Sequence, residues 1–141
     1  MAEFAWNSRK LLRVLLEHQA AFRLNRASKK DIHLKEKTAK SKLLDLSVGG
    51  CALESANFLP PGAKINVFLN RDLLLGRADS KSKMVHTKIV GVVRTCRQMP
   101  DHKYRLGIQF EKISPEDIKL IRDLVAKNER REDPRITFPN K

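Results

Sequence analysis

The sequence is poor in aromatic residues, and this shortage argues against one class of binding protein. Only 6% of its 141 residues are aromatic, with a single Trp and a single Tyr. Proteins that bind single-stranded nucleic acids stack bases on several aromatic side chains. The chain has few aromatic side chains on which bases could stack, so we expect no nucleic-acid partner.

Cysteine clusters, histidine clusters and long apolar runs are also missing. Cys51 and Cys96 belong to no C-x-x-C pair, so we expect two reduced thiols rather than a disulfide framework. The four histidines lack the spacing of metal ligands, and we expect no metal. No run of about 18 apolar residues could form a membrane-spanning helix. The N-terminal segment, interrupted by charged residues, is unlike a signal peptide, so we expect a cytoplasmic protein without membrane insertion.

Motifs typical of enzymes are absent from the sequence. It contains no G-x-S-x-G nucleophile elbow, no phosphate-binding P-loop and no cysteine–histidine pairing. We therefore expect a binding protein that has neither catalytic residues nor a cofactor.

Positive charge, in contrast, is abundant. Lys and Arg number 29 against 16 Asp and Glu, which gives a formal net charge of +13. Such a charge predicts an anionic partner, whether nucleic acid, acidic lipid, an acidic protein surface or a phosphorylated ligand. Hydrophobic residues make up 41% of the chain, which suits one domain with a single core.

Much of the chain alternates between apolar and polar residues, as strands do. In residues 104–110 the apolar side chains fall on one face, whereas Arg105, Gly107 and Gln109 fall on the other. Further strand-like stretches are 42–46, 50–54, 64–69 and 88–95. Short strands joined by turns predict a mainly β protein, an antiparallel barrel with a helical lid.

A helix is predicted near the C-terminal end. Ser114 supplies an N-cap, Pro115 the first helical position and Asp117 an acidic third position, and apolar residues follow at helical spacing. The segment 7–23 is ambiguous, because it fits either a helix or an irregular arm that leads into a strand at 20–24.

Two short motifs carry the functional signal. Arg9 and Arg13, with Lys10 between them, form R-x-x-x-R, and residues 45–50 (DLSVGG) form D-x-S-x-x-G. In this order the motifs resemble those of the PilZ domain family. Later turns and strands of that family are also matched, by LPPG at 59–62, GVVR at 91–94 and LGIQF at 106–110.

The resemblance covers roughly residues 9–127 and implies a six-stranded antiparallel β-barrel with a C-terminal α-helix. It also implies that the chain binds cyclic di-GMP. The site residues that it implies are Arg9, Lys10, Arg13, Asp45, Ser47, Gly49 and Gly50. Weaker candidates, taken from their positions, are Trp6, Arg94 and Gly107.

The chemistry of these residues suits the ligand. An arginine fork matches the adjacent O6 and N7 acceptors of guanine, or a phosphate, and Lys10 adds a point charge. Asp45 can accept hydrogen bonds from guanine N1–H and N2–H₂, or hold an arginine in position. Ser47 offers a hydroxyl to a phosphate or base. Gly49 and Gly50 permit positive φ and a close approach of the ligand to the backbone.

Each motif alone also has an ordinary structural explanation. Arg9 and Arg13 fit a basic helix face, and DLSVGG fits a capped hairpin turn. Trp6 fits a packing role as well as stacking on a base. Arg23 and Arg26 have the wrong spacing for the motif and are interpreted as solvated charges at a strand end.

We expect an N-terminal arm at 1–13, a barrel with its helix at 14–127 and a flexible tail at 128–141. The arm would be mobile when empty and clamp the ligand against the turn. The receptor would relay ligand level to an unidentified protein effector, with motility, pilus function, exopolysaccharide production or virulence as the output. The alternatives are a ligand-independent PilZ-like adaptor and a small basic β-barrel that binds RNA or DNA.

Overall fold

The structure is a computed structural model that describes residues 19–26, 32, 34, 38–71, 86–127 and 136–137. In chain order, the elements within these residues are β1 (Gln19–Leu24), β2 (Ala39–Leu46), β3 (Gly50–Ser55), β4 (Lys64–Leu69), β5 (Ile89–Met99), a 3₁₀ turn (Pro100–His102), β6 (Lys103–Lys112), α1 (Pro115–Lys127) and β7 (Ile136–Thr137). Among these elements, no helix has the length and apolar character needed to cross a membrane.

Six of the strands close into an antiparallel barrel. Their order is β1-β4-β5-β6-β3-β2, and β1 pairs with β2 to complete the circle. The predicted fold, a mainly β, six-stranded antiparallel barrel with a C-terminal helix, is therefore confirmed. β7 lies within the predicted tail and adds to β2 through the pairs Asp45↔Thr137 and Leu46↔Ile136. The domain boundaries stay predictions.

The barrel interior is built from the inward faces of the strands. Between β3 and β6, Leu53 pairs with Leu106 and Cys51 with Ile108, and all four side chains are buried in the core. Phe22 on β1 is fully buried beside them in the same cluster. Because side chains alternate along a strand, the residues between them face outward. On β3 and β6 these outward residues are Ala52, Glu54, Arg105, Gly107 and Gln109.

The terminal helix begins as the sequence predicts. The Ser114 hydroxyl accepts a hydrogen bond from the Asp117 backbone N–H at 3.1 Å, which satisfies one of the free donors of the first turn. Ile121, Leu124 and Val125 are buried and belong to the core cluster of the barrel. The amphipathic helix therefore shares the hydrophobic core of the barrel.

The strand at the end of the ambiguous segment 7–23 is present as β1, whereas the residues before it lie outside the described ones. Arg23 on this strand is half-buried, so its interpretation as a solvated charge was wrong. Its Nε donates to Thr38 Oγ1 at 2.8 Å, and its guanidinium lies 5.4 Å from the centre of the Phe68 ring. Burial lowers the pKa of Arg23. Pairing between distant strands creates this environment, which linear spacing does not reveal.

Candidate functional site

The D-x-S-x-x-G motif forms the connection between β2 and β3. Asp45 lies near the end of β2, and Gly50 begins β3. The Ser47 backbone N–H donates to the Gly50 carbonyl at 2.8 Å, and the Ser47 hydroxyl donates to the same oxygen at 3.3 Å. The sequence therefore makes a closed turn here, in which the serine side chain contributes to the closure.

The two glycines of the turn have different surroundings. A Cβ at Gly50 would overlap the carbonyl oxygen of Ile108 on β6, so only glycine allows the strands to pair this closely. A Cβ at Gly49 would have nothing within 4 Å. Neither glycine adopts the positive φ that its lack of a side chain permits; Gly62 is the one described glycine that does, at 95°. The glycines therefore provide close approach rather than a left-handed backbone.

The turn is also tied to the neighbouring strand. The Gly49 carbonyl accepts a hydrogen bond from the Phe110 N–H of β6 at 2.9 Å. Gly50 pairs with Gln109 on the same strand. The backbone of the turn is thus fixed on one side by β6, while Val48 and Gly49 remain exposed at its tip.

Asp45 is held by an arginine that neither sequence motif contains. Arg105 Nη2 on β6 donates to Asp45 Oδ2 on β2 at 2.7 Å, and the side chains are 32% and 14% exposed. Sequence analysis correctly placed Arg105 on the outward face of its strand, but gave it no role. The partners are 60 positions apart in the sequence, which hides the contact, because β2 and β6 meet only across β3.

The weaker candidates Arg94 and Gly107 lie on the outer face of the barrel, as the Asp45–Arg105 pair does. Gly107 pairs with Ala52, which in turn pairs with Asp45, so the three share one row across three strands. A Cβ at Gly107 would overlap Thr95 Oγ1 on β5. Arg94 lies at a bulge of β5, where its Nε donates to Gln109 Oε1 at 2.6 Å. The barrel thus brings Arg94 and Gly107 beside the motif.

Further charges surround this row. Arg97 on β5 is exposed and lies directly opposite Arg105 in the β5–β6 ladder. Lys103 Nζ lies 3.0 Å from Glu54 Oε1, and Glu54 is 7% exposed. Like charges placed opposite each other on adjacent strands repel. Arg105 is neutralised by Asp45 on the opposite side, which limits this repulsion.

Four candidates of the arm, Trp6, Arg9, Lys10 and Arg13, lie outside the described residues. Their contact with the turn therefore stays a prediction. Within the described part of the chain, no group of three or more His, Cys, Asp or Glu residues could hold a metal ion. Together, the described residues form a site on the outer face of the barrel. It consists of a fixed turn, a carboxylate and several guanidiniums.

Comparison with protein families decides where this barrel belongs. The family model of the PilZ domain matches residues 17–127, most of the chain. The chain belongs to the PilZ domain family. PilZ domains are typically binding domains rather than enzymes. The match includes the D-x-S-x-x-G turn and begins after Arg13, so the assignment of the arginine pair depends on the R-x-x-x-R motif alone.

A solved structure supports the same fold. The chain is similar to the Bacillus subtilis inhibitor of motility, MotI/DgrA, with a TM-score of 0.55 and 15% sequence identity. The similarity covers 79% of this chain and 48% of that protein, so this chain spans about half of its length. The two proteins share a fold. Comparison with curated protein sequences finds no match to this chain.

Proposed function

We propose that this PilZ domain is a receptor for cyclic di-GMP. The ligand would bind on the outer face of the barrel at the β2–β3 turn, gripped there by Arg9 and Arg13 from the preceding segment. The observation that carries the proposal is the D-x-S-x-x-G turn: it has a fixed backbone, an exposed tip and a carboxylate–guanidinium pair directly beside it. Family membership supports the same ligand.

The charges of the site match those of the ligand. Cyclic di-GMP carries two phosphodiester charges and two guanines, and arginine forks can meet either group bidentately. Lys10 would add a point charge to a phosphate, and Trp6 could stack on a base. At the exposed turn tip, Gly49 has no side chain to keep the ligand from the backbone. We propose no catalytic step, since binding alone accounts for the residues present.

Ligand occupancy would be relayed to a protein partner. We propose that the arm closes onto the turn when the ligand binds, which changes the surface that a partner meets. The similar B. subtilis protein is named an inhibitor of motility. Motility is therefore one candidate output, beside pilus function, exopolysaccharide production and virulence.

Calorimetric titration of the full chain with cyclic di-GMP tests the proposal. We expect heat of binding for the wild type, and affinities at least about tenfold weaker, or about 1.4 kcal/mol, for Arg9→Ala and for Ser47→Ala. Arg122→Ala is the matched control, because Arg122 is exposed on α1, outside the motif. It removes the same charge and should bind like the wild type.

Two results would contradict this receptor role. No heat from a wild type that melts cooperatively would favour the ligand-independent adaptor. Tight binding to RNA or DNA that weakens steeply with salt, in the absence of cyclic di-GMP binding, would favour the basic nucleic-acid-binding barrel, for which the net charge of +13 is the supporting observation.

A further inference from the structure

Arg105 is a guanidinium that touches the D-x-S-x-x-G motif from another strand. Its Nη2 donates to Asp45 Oδ2 at 2.7 Å, while about a third of its side chain stays exposed. One side of the guanidinium is therefore engaged by the protein. The exposed part is in reach of a molecule that binds beside the turn.

The route of the Arg105 side chain determines its orientation. β3 lies between β6 and β2, so this side chain has to cross β3 to reach Asp45. At that level Ala52 on β3 pairs with Asp45 on one side and with Gly107 on the other. Neither Ala52 nor Gly107 has a side chain beyond Cβ, so neither blocks the path of the Arg105 side chain across β3, while Thr95 Oγ1 lies over Gly107. The guanidinium consequently extends along the sheet instead of projecting away from it.

A guanidinium held in this way is prepared for a planar ligand. The carboxylate of Asp45 restrains its position, so little side-chain entropy remains to be lost on binding. A base that lies beside the exposed part of Arg105 on the outer face would present its edge to the guanidinium. Guanine places O6 and N7, two acceptors, side by side on that edge, which matches a pair of arginine donors.

We propose that Arg105 is a further ligand-binding residue, which reads the O6/N7 edge of one guanine, and that Asp45 is the positioning residue that holds it. This inference rests on the proposed function of the site. It assigns base recognition to a residue of β6 in the barrel itself, in addition to the arginines of the arm.

The test combines a change in the protein with a change in the ligand. The full chain is titrated with cyclic di-GMP and with its analogue in which C–H replaces N7 of both guanines. The analogue keeps both phosphates and the purine shape. The wild type is compared with Arg105→Lys, which keeps the charge beside Asp45 but loses the fork. Arg97→Lys is the matched control, because Arg97 lies opposite Arg105 on the same outer face.

We expect Arg105→Lys to bind cyclic di-GMP about tenfold more weakly than the wild type. Replacing N7 with C–H should weaken binding of the ligand to the wild type. In Arg105→Lys this loss of affinity should be at least about threefold smaller, since the contact to N7 is already lost. Arg97→Lys should show the wild-type weakening. Asp45→Asn should reduce the N7 dependence as Arg105→Lys does, a result that loss of stability alone would not produce. Thermal melting confirms that each variant is folded.

Each other outcome overturns the inference. If Arg105→Lys binds cyclic di-GMP like the wild type, Arg105 does not contact the ligand. If it binds more weakly but keeps the full N7 dependence, Arg105 acts on a phosphate or through charge alone. If the folded wild type binds neither ligand, the proposed function fails, and this inference fails with it. If the wild type binds cyclic di-GMP and one of the first two results is found, only this inference fails. The two failures are therefore distinguishable.

Discussion

Arg71 and Asp117 join the end of β4 to the first turn of the terminal helix. Arg71 Nε donates to Asp117 Oδ1 at 3.0 Å, Arg71 Nη2 lies 2.7 Å from the same oxygen, and the Asp117 side chain is 5% exposed. The Asp117 backbone N–H is bound at the same time by the Ser114 hydroxyl. The start of the helix is thus fixed to the barrel by a largely buried ion pair.

Removal of this arginine should destabilise the protein strongly. In Arg71→Ala the Asp117 carboxylate stays buried without its partner, and breaking a buried pair in this way costs about 3 kcal/mol or more. Urea denaturation followed by circular dichroism measures the free energy of unfolding. Glu116→Gln is the control, because Glu116 is 83% exposed and 4.0 Å from Arg71, and it should change that free energy little. Equal effects of the two variants would contradict the assigned role of the pair.

The two glycines of the motif should separate folding from binding. Gly50→Ala would force a methyl group onto the Ile108 carbonyl and lower the free energy of unfolding by about 1–3 kcal/mol. Gly49→Ala has open space and no positive φ, so its stability should stay within about 0.5 kcal/mol of the wild type. If Gly49→Ala nonetheless weakens cyclic di-GMP binding, the ligand approaches the backbone at the turn tip, as proposed. Equal destabilisation by the two variants would contradict the close approach of β3 and β6.

The barrel core should respond to loss of volume as a packed interior does. Leu106 on β6 is fully buried, and Leu106→Ala should cost about 2–5 kcal/mol of unfolding free energy. Val48 at the turn tip is 38% exposed, so Val48→Ala should cost much less. Chemical denaturation of the two variants side by side makes the comparison. A small effect at Leu106 would mean that the inward face of β6 is assigned incorrectly.

Stability should fall at alkaline pH because of Cys51. Burial raises the pKa of the Cys51 thiol far above its ordinary value, and the negative charge of Asp45 raises it further. Above about pH 8.5 the unfolded chain releases this proton while the folded chain keeps it, so the free energy of unfolding decreases as pH rises. From pH 8 to 9.5 the decrease from this group should be about 1 kcal/mol.

Cys51→Ala isolates that contribution. The variant lacks the buried thiol, so its free energy of unfolding should change less with pH than that of the wild type over the same range. Denaturation at several pH values gives both slopes. Identical slopes would show that the Cys51 thiol is not protected from ionisation in the folded state.

The parts of the fold that depend on local pattern were predictable from the sequence. Alternation at 104–110 correctly assigned the inward and outward faces of β6, and the Ser114 cap correctly placed the start of the helix. The pattern predicted an antiparallel barrel and the family resemblance implied six strands, but neither identified β1 and β2 as the pair that closes it, because pairing between distant strands leaves no local signal. The burial of Arg23 was missed for the same reason.

In the candidate site too, features with a local sequence signal were predictable, whereas contacts between distant residues were not. The D-x-S-x-x-G turn was predicted as a turn at the correct residues, since its glycines and serine are local signals. The Asp45–Arg105 pair spans 60 residues and was invisible in the sequence, although an arginine partner for Asp45 was one of the roles considered. Gly49 and Gly50 permit positive φ but do not adopt it, because a glycine in a motif signals either a special φ or a close contact, and only the fold distinguishes the two.

The position of β7 matters to anyone who shortens this chain. β1 pairs with β2 as far as Lys42, and β7 takes over at Asp45 and Leu46. In a truncated version that stops at residue 127, where the PilZ match ends, no other described strand would pair with this end of β2 on the β7 side. Exposed edges recruit strands from other molecules. A minimal domain would therefore tend to self-associate at the very strand that carries Asp45, and crystallisation or calorimetry is better begun with the C-terminal segment retained.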